Sequence, residues 1–96
     1  MNEVRVIARF VAKAGKEDAL RKLLQGLVAP THAEAGCKIY ELYESDVAGR
    51  FYFYELWASD DAFQGHLTTP HLEHLKSVIA DLVGEPFEVN LVKALS

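Results

Sequence analysis

The chain has 96 residues, half of them hydrophobic and a quarter charged, with a formal net charge of −4 and a single cysteine. That length fits one domain spanning residues 1–96, and the balance is that of a globular chain rather than a disordered one. The charge offers no long-range pull toward nucleic acid or an anionic membrane, and no apolar stretch approaches the roughly 20 residues of a membrane-crossing helix. Cys37 alone cannot form an internal disulfide, and the first residues show no signal-peptide pattern, so a cytoplasmic setting and a small-molecule partner are expected.

From Val4 to Ala12 apolar residues recur at Val4, Val6, Ala8, Phe10 and Ala12, the alternation of a strand. Ala14-Gly15 breaks it. Glu17 and Asp18 then open a helix whose apolar face is Ala19, Leu20, Leu23, Leu24, Leu27 and Val28. Pro30 is expected to weaken that helix, and Glu34-Ala35-Gly36 reads as the turn into a second strand. In this strand Cys37, Ile39, Glu41 and Tyr43 alternate with Lys38, Tyr40, Leu42 and Glu44. Ala48-Gly49 makes the connection to a third strand, Phe51 to Ala58, so the pair is a hairpin.

Ser59 is placed to cap a short helix that carries Phe63, His66 and Leu67 on one face. Thr69-Pro70 starts another, with Leu72, Leu75, Ile79 and Leu82 as its core stripe, Gly84 as its cap and Pro86 as its end. Phe87 to Leu95 is the fourth strand. The order strand, helix, strand, strand, helix, strand predicts an α+β, ferredoxin-like split βαβ sandwich: a four-stranded antiparallel sheet with helices on one face. In the third strand Phe51, Phe53, Glu55 and Trp57 face one way and Tyr52, Tyr54 and Leu56 the other, so both faces are aromatic or apolar. Helices cover only one. A homodimer through the open sheet face is the expected cover for the other.

Three features carry chemistry. His66 shares the inward face of its helix, so it is either a base or hydrogen-bond donor toward a ligand, or a core histidine satisfied by a backbone carbonyl. Glu55 among aromatics either has its pKa raised by desolvation or holds a cation. Trp57, Phe53 and Phe63 either wall a flat apolar pocket or are plain core. His66, His71 and His74 lack the spacing of a metal set, and only His71 and His74 sit at i, i+3, so no metal is expected. Cys37 has no nucleophile signature, and no glycine-rich loop points to a flavin or nicotinamide.

Gly15-Lys16-Glu17, Glu34-Ala35-Gly36-Cys37, Tyr40, Tyr54-Glu55-Leu56-Trp57, His66-Leu67 and Thr69-Pro70-His71 resemble, in order, the signature of the antibiotic biosynthesis monooxygenase family. The resemblance implies a dimeric α+β barrel with a pocket between each sheet and its helices. It also implies oxygenation of a small phenol or quinol to a quinone by molecular oxygen, without cofactor. His66 and Glu55 become the catalytic candidates, His66 as the base with Glu55 positioning it or the substrate. Trp57, Phe53, Phe63, Leu67 and His71 become the substrate-binding candidates.

Phe53 and Phe63 replace an asparagine and a tyrosine of the family's polyketide oxygenases, which argues against an anthrone. Ala8 and Lys76 replace the asparagine and histidine of its haem-degrading branch. Arg50 to Glu55 and His66 to His71 also resemble an isomerase of phosphorylated autoinducer-2, with Arg9, Lys38 and Arg50 as candidate phosphate anchors. A non-catalytic dimeric ligand binder is the third alternative.

Overall fold

The computed structural model describes residues 2–96. Four strands, β1 (Val4–Val11), β2 (Cys37–Glu44), β3 (Arg50–Trp57) and β4 (Glu88–Val92), form one sheet in the order β2-β3-β1-β4, every pair antiparallel. Helices α1 (Glu17–Gln25), α2 (Val28–His32), α3 (Asp60–His66) and α4 (Pro70–Val78) cover one face, and a 3₁₀ turn over Ile79–Asp81 follows α4. This is the expected α+β, ferredoxin-like arrangement.

The alternation in the strands decides the buried face. Val6, Ala8 and Phe10 of β1 and Phe51, Phe53, Glu55 and Trp57 of β3 are buried, and the register sets Ala8 against Phe53 and Phe10 against Phe51. Leu20 and Leu24 of α1, Phe63 of α3, and Leu72 and Leu75 of α4 close over them. Each such aliphatic side chain withdrawn from water contributes roughly 1.5–3 kcal/mol. Ser59 caps α3 as expected, accepting from Ala62 N at 3.1 Å, and Thr69, just before the expected N1 proline, caps α4 by accepting from Leu72 N at 3.4 Å.

Several boundaries differ from the sequence reading. The helix expected through Val28 breaks at Gly26 into α1 and α2, and Pro30 lies inside α2. Pro30 is tolerated because the first turn of a five-residue helix needs no amide donor from it. Gly84 does not cap α4, which ends at Val78; its N–H instead donates to Val11 O at 2.9 Å. The fourth strand is shorter than Phe87 to Leu95, and Ala12 leaves β1 to form an isolated bridge with Val83.

The second strand carries the most consequential difference. A bulge sets both Cys37 and Lys38 against one partner, so the face parity of β2 changes at its start. Cys37 therefore packs on the core together with Tyr40 and Leu42, not on the face opposite them. On the open face of the sheet Arg5 lies 5.8 Å above the Tyr54 ring and donates to its hydroxyl, while Ile7 and Tyr43 stay exposed.

Candidate active site

His66 ends α3 on its inner face and is 3% exposed. Its ring packs against Trp57 at 4.6 Å between centroids, Tyr40 at 5.5 Å and Phe63 at 6.4 Å. Its partner is not a backbone carbonyl. Nδ1 donates to Glu34 Oε2 at 2.9 Å, and the same oxygen accepts from His71 Nε2 at 2.7 Å. A carboxylate can only accept, so the His66 proton sits on Nδ1 and its lone pair on Nε2.

A cavity of about 70 Å³ lies between the sheet and α3 and α4. Phe53, Glu55, Phe63, His66 and Leu67 line it, with Tyr40, Leu75 and Lys76 among the other lining residues, and Phe87 and Val89 stand at its rim near β4. Those two are 38% and 44% exposed. The space holds about two waters, so a ring-sized ligand requires the rim to part.

Two expected pocket residues lie elsewhere. Trp57 is fully buried behind the wall and donates Nε1–H to Glu55 Oε1 at 3.0 Å. His71 lies on the outer side of Glu34, where it borders a surface cleft with His74 and Lys22. Glu55 holds neither a cation nor His66; Trp57 is its partner, and Glu34 is what orients His66. Glu34 escaped the sequence reading because it sits in a turn, 32 residues before the histidine it contacts. The candidate phosphate anchors do not line the cavity: Arg9 pairs with Glu85 and Lys38 with Glu3. Lys76 does line it, but its ammonium is bound to Leu67 O and Glu73.

Glu34, His66 and His71 present three ligand atoms within 4.8 Å of one another, a set that excludes the His74 considered from spacing. Two imidazole nitrogens and a carboxylate are donors that zinc accepts. Here, however, the Glu34 oxygen itself stands where the two imidazole N–H groups point, at hydrogen-bond distance from both. The geometry is that of a hydrogen-bonded triad.

Burial governs the titration of these groups. It pushes the Glu55 carboxyl up to about 7, against the Trp57 hydrogen bond that lowers it. Burial also holds the His66 imidazole below its ordinary value, opposed by Glu34, so the ring is neutral at neutral pH. Burial first, then Glu55, raises the Tyr40 hydroxyl far above the ordinary phenol range, which removes it as a base. The arrangement thus offers one neutral base and one carboxyl that exchanges its proton near pH 7, both facing an apolar cavity.

A family model described as antibiotic biosynthesis monooxygenase matches residues 3–77. Rv0793 of Mycobacterium tuberculosis, named "Putative monooxygenase Rv0793", is 36% identical over 92 residues, which are 96% of this chain and 91% of the relative. The solved structure of Rv0793 overlays with a TM-score of 0.93 at 35% identity, covering 99% of this chain and 97% of that one. PA3566 of Pseudomonas aeruginosa overlays with a TM-score of 0.92 at 30% identity, covering 100% and 97%. The resemblance first carried by short motifs thus extends over the sheet and all four helices, and the chain belongs to the antibiotic biosynthesis monooxygenase family.

Proposed function

We propose that the protein is a cofactor-independent monooxygenase that oxidises a small phenol or quinol to a quinone with molecular oxygen. Membership of a family described as monooxygenase supports the general activity. The observation that carries the finer reading is the setting of His66, a buried neutral imidazole with Nδ1 held by Glu34 and the ring lining a small, largely apolar cavity. Such a group takes a proton from a hydroxyl at neutral pH, and a dry apolar wall favours the transfer of charge onward to oxygen.

The step balances without a further reagent. His66 Nε2 removes the hydroxyl proton of a phenol, and the phenolate gives one electron to oxygen. The resulting phenoxyl and superoxide join at a ring carbon, and the proton returns from His66 to make a hydroperoxide. Loss of the hydrogen on that carbon with cleavage of the O–O bond gives a carbonyl and water. One oxygen atom enters the quinone and the other leaves as water. In this reading Glu55, which holds Trp57 with one oxygen and has no other hydrogen-bond partner among the described residues, hydrogen-bonds the ring oxygen with the other. The partners in this reading are a small aromatic substrate and oxygen, with no nucleic acid or membrane. No helix of the described residues is long and apolar enough to cross a membrane, and a cytoplasmic setting is part of the proposal.

We also infer a homodimer, supported by the exposure of Ile7 and Tyr43 on the open sheet face and of Leu91 and Val92 on β4. The experiment for the activity is oxygen uptake with a panel of small hydroquinols under metal chelation, comparing wild type with His66→Ala. Uptake above autoxidation that drops by about 10²–10⁴-fold in the variant is the expected result. Rates equal to autoxidation across the panel would sink the oxygenase reading and leave the isomerase or a ligand binder.

A further inference from the structure

The tautomer of His66 is decided outside the cavity. Side-chain exposure rises from 3% at His66 through 13% at Glu34 to 18% at His71, so one carboxylate oxygen joins a sealed imidazole to one that reaches solvent. We propose that Glu34 and His71 are positioning residues that act through His66: Glu34 keeps its lone pair on the cavity side, and His71, bound to the same carboxylate oxygen, competes for that charge and sets the strength of the base. The kinetic part rests on the oxygenase reading; the structural part stands on the three side chains alone.

An imidazole that gains a proton at Nε2 becomes a cation within a hydrogen bond of Glu34, which stabilises it. A protonated His71 on the same oxygen draws on the same negative charge and weakens that support. Glu34 thus strengthens the base and a charged His71 weakens it, consistent with the directions in which each acts on His66. Glu34 faces His66 from the turn before β2, Tyr40 from β2, Glu55 and Trp57 from β3, and His71 and Lys76 from α4. Tyr40 stays neutral across the neutral range, and the Lys76 ammonium is held by Leu67 O and Glu73 in wild type and variants alike. Glu55 titrates in that range too; the Glu34 charge helps to hold its carboxyl up, so its midpoint falls in Glu34→Gln, whereas His71→Gln leaves that charge in place.

The test is an NMR titration of 15N-histidine-labelled wild type, Glu34→Gln and His71→Gln, with the pH profile of oxygen uptake for each. Wild-type His66 is expected to carry its proton on Nδ1. Its midpoint moves down in Glu34→Gln, which loses the negative charge, and up in His71→Gln, which keeps a donor but loses the positive charge. In kinetics Glu34→Gln lowers kcat about 100-fold with little change in KM, and the acid limb of His71→Gln moves to higher pH. A wild-type His66 with its proton on Nε2, or midpoints that move in the same direction, would overturn the proposal. If Glu34→Gln does not fold, the wild-type tautomer and the His71→Gln shift decide between them. A wild type without oxygen uptake would remove the oxygenase reading while the titration still tests the triad.

Discussion

At Glu55 the fold keeps an acid 4% exposed with an indole N–H as its hydrogen-bond partner in place of a cation. A carboxyl lifted from 4.5 to about 7 binds its proton more tightly folded than unfolded. Stability therefore falls as pH rises through that window, and the loss is complete above it. The size is about 3 kcal/mol. Glu55→Gln removes this dependence, so urea unfolding at about pH 8 should show the variant more stable by up to about that amount, with the gain vanishing near pH 4.5. Equal pH dependence in the two proteins would mean that Glu55 is solvated. A gain in stability on removing a cavity acid is what a functional rather than structural role predicts. The Glu55–Trp57 pairing was within reach of the sequence, because residues two apart in a strand share a face.

Among the elements, the turn into β2 does the most to assemble the site. Gly36 has φ of 85°, and a Cβ there would stand 2.6 Å from Ala62 Cβ of α3. Its carbonyl accepts from Ala58 N at 2.8 Å, tying the start of β2 to the end of β3. The glycine lets α3 lie close enough for His66 to reach Glu34. Gly36→Ala should cost about 1–3 kcal/mol from the forced backbone alone, before the clash is added, and calorimetry would read it as a lower Tm. The same variant should widen the His66–Glu34 contact and lose the Nδ1–H signal from slow exchange. Unchanged melting would show that α3 is free to shift.

For the whole molecule, the helices cover one face of the sheet and stop short of β4, leaving Ile7 40%, Leu91 58% and Val89 44% exposed. Apolar side chains so distributed on a small domain favour a second copy. The proposed homodimer predicts a light-scattering mass of two chains at micromolar concentration, and a fall to one chain in Ile7→Glu, which would bury a charge against the partner. A monomeric wild type would remove the dimer from the reading.

Local sequence determined the element types, the capping of α3 by Ser59, the start of α4 at Thr69-Pro70, the inward face of β3, and the inward direction of His66. These are local properties, set by side chains a few residues apart whose spacing matches a helix turn or a strand pleat. Tertiary structure alone decided the bulge that turns Cys37 toward the core, the passage of α2 through Pro30, the withdrawal of Trp57 and His71 from the cavity wall, and above all the partnership of Glu34 with His66 and His71. A turn residue carries no period. Its carboxylate meets a histidine 32 positions away only because the hairpin and α3 pack together, and no spacing along the chain encodes that approach.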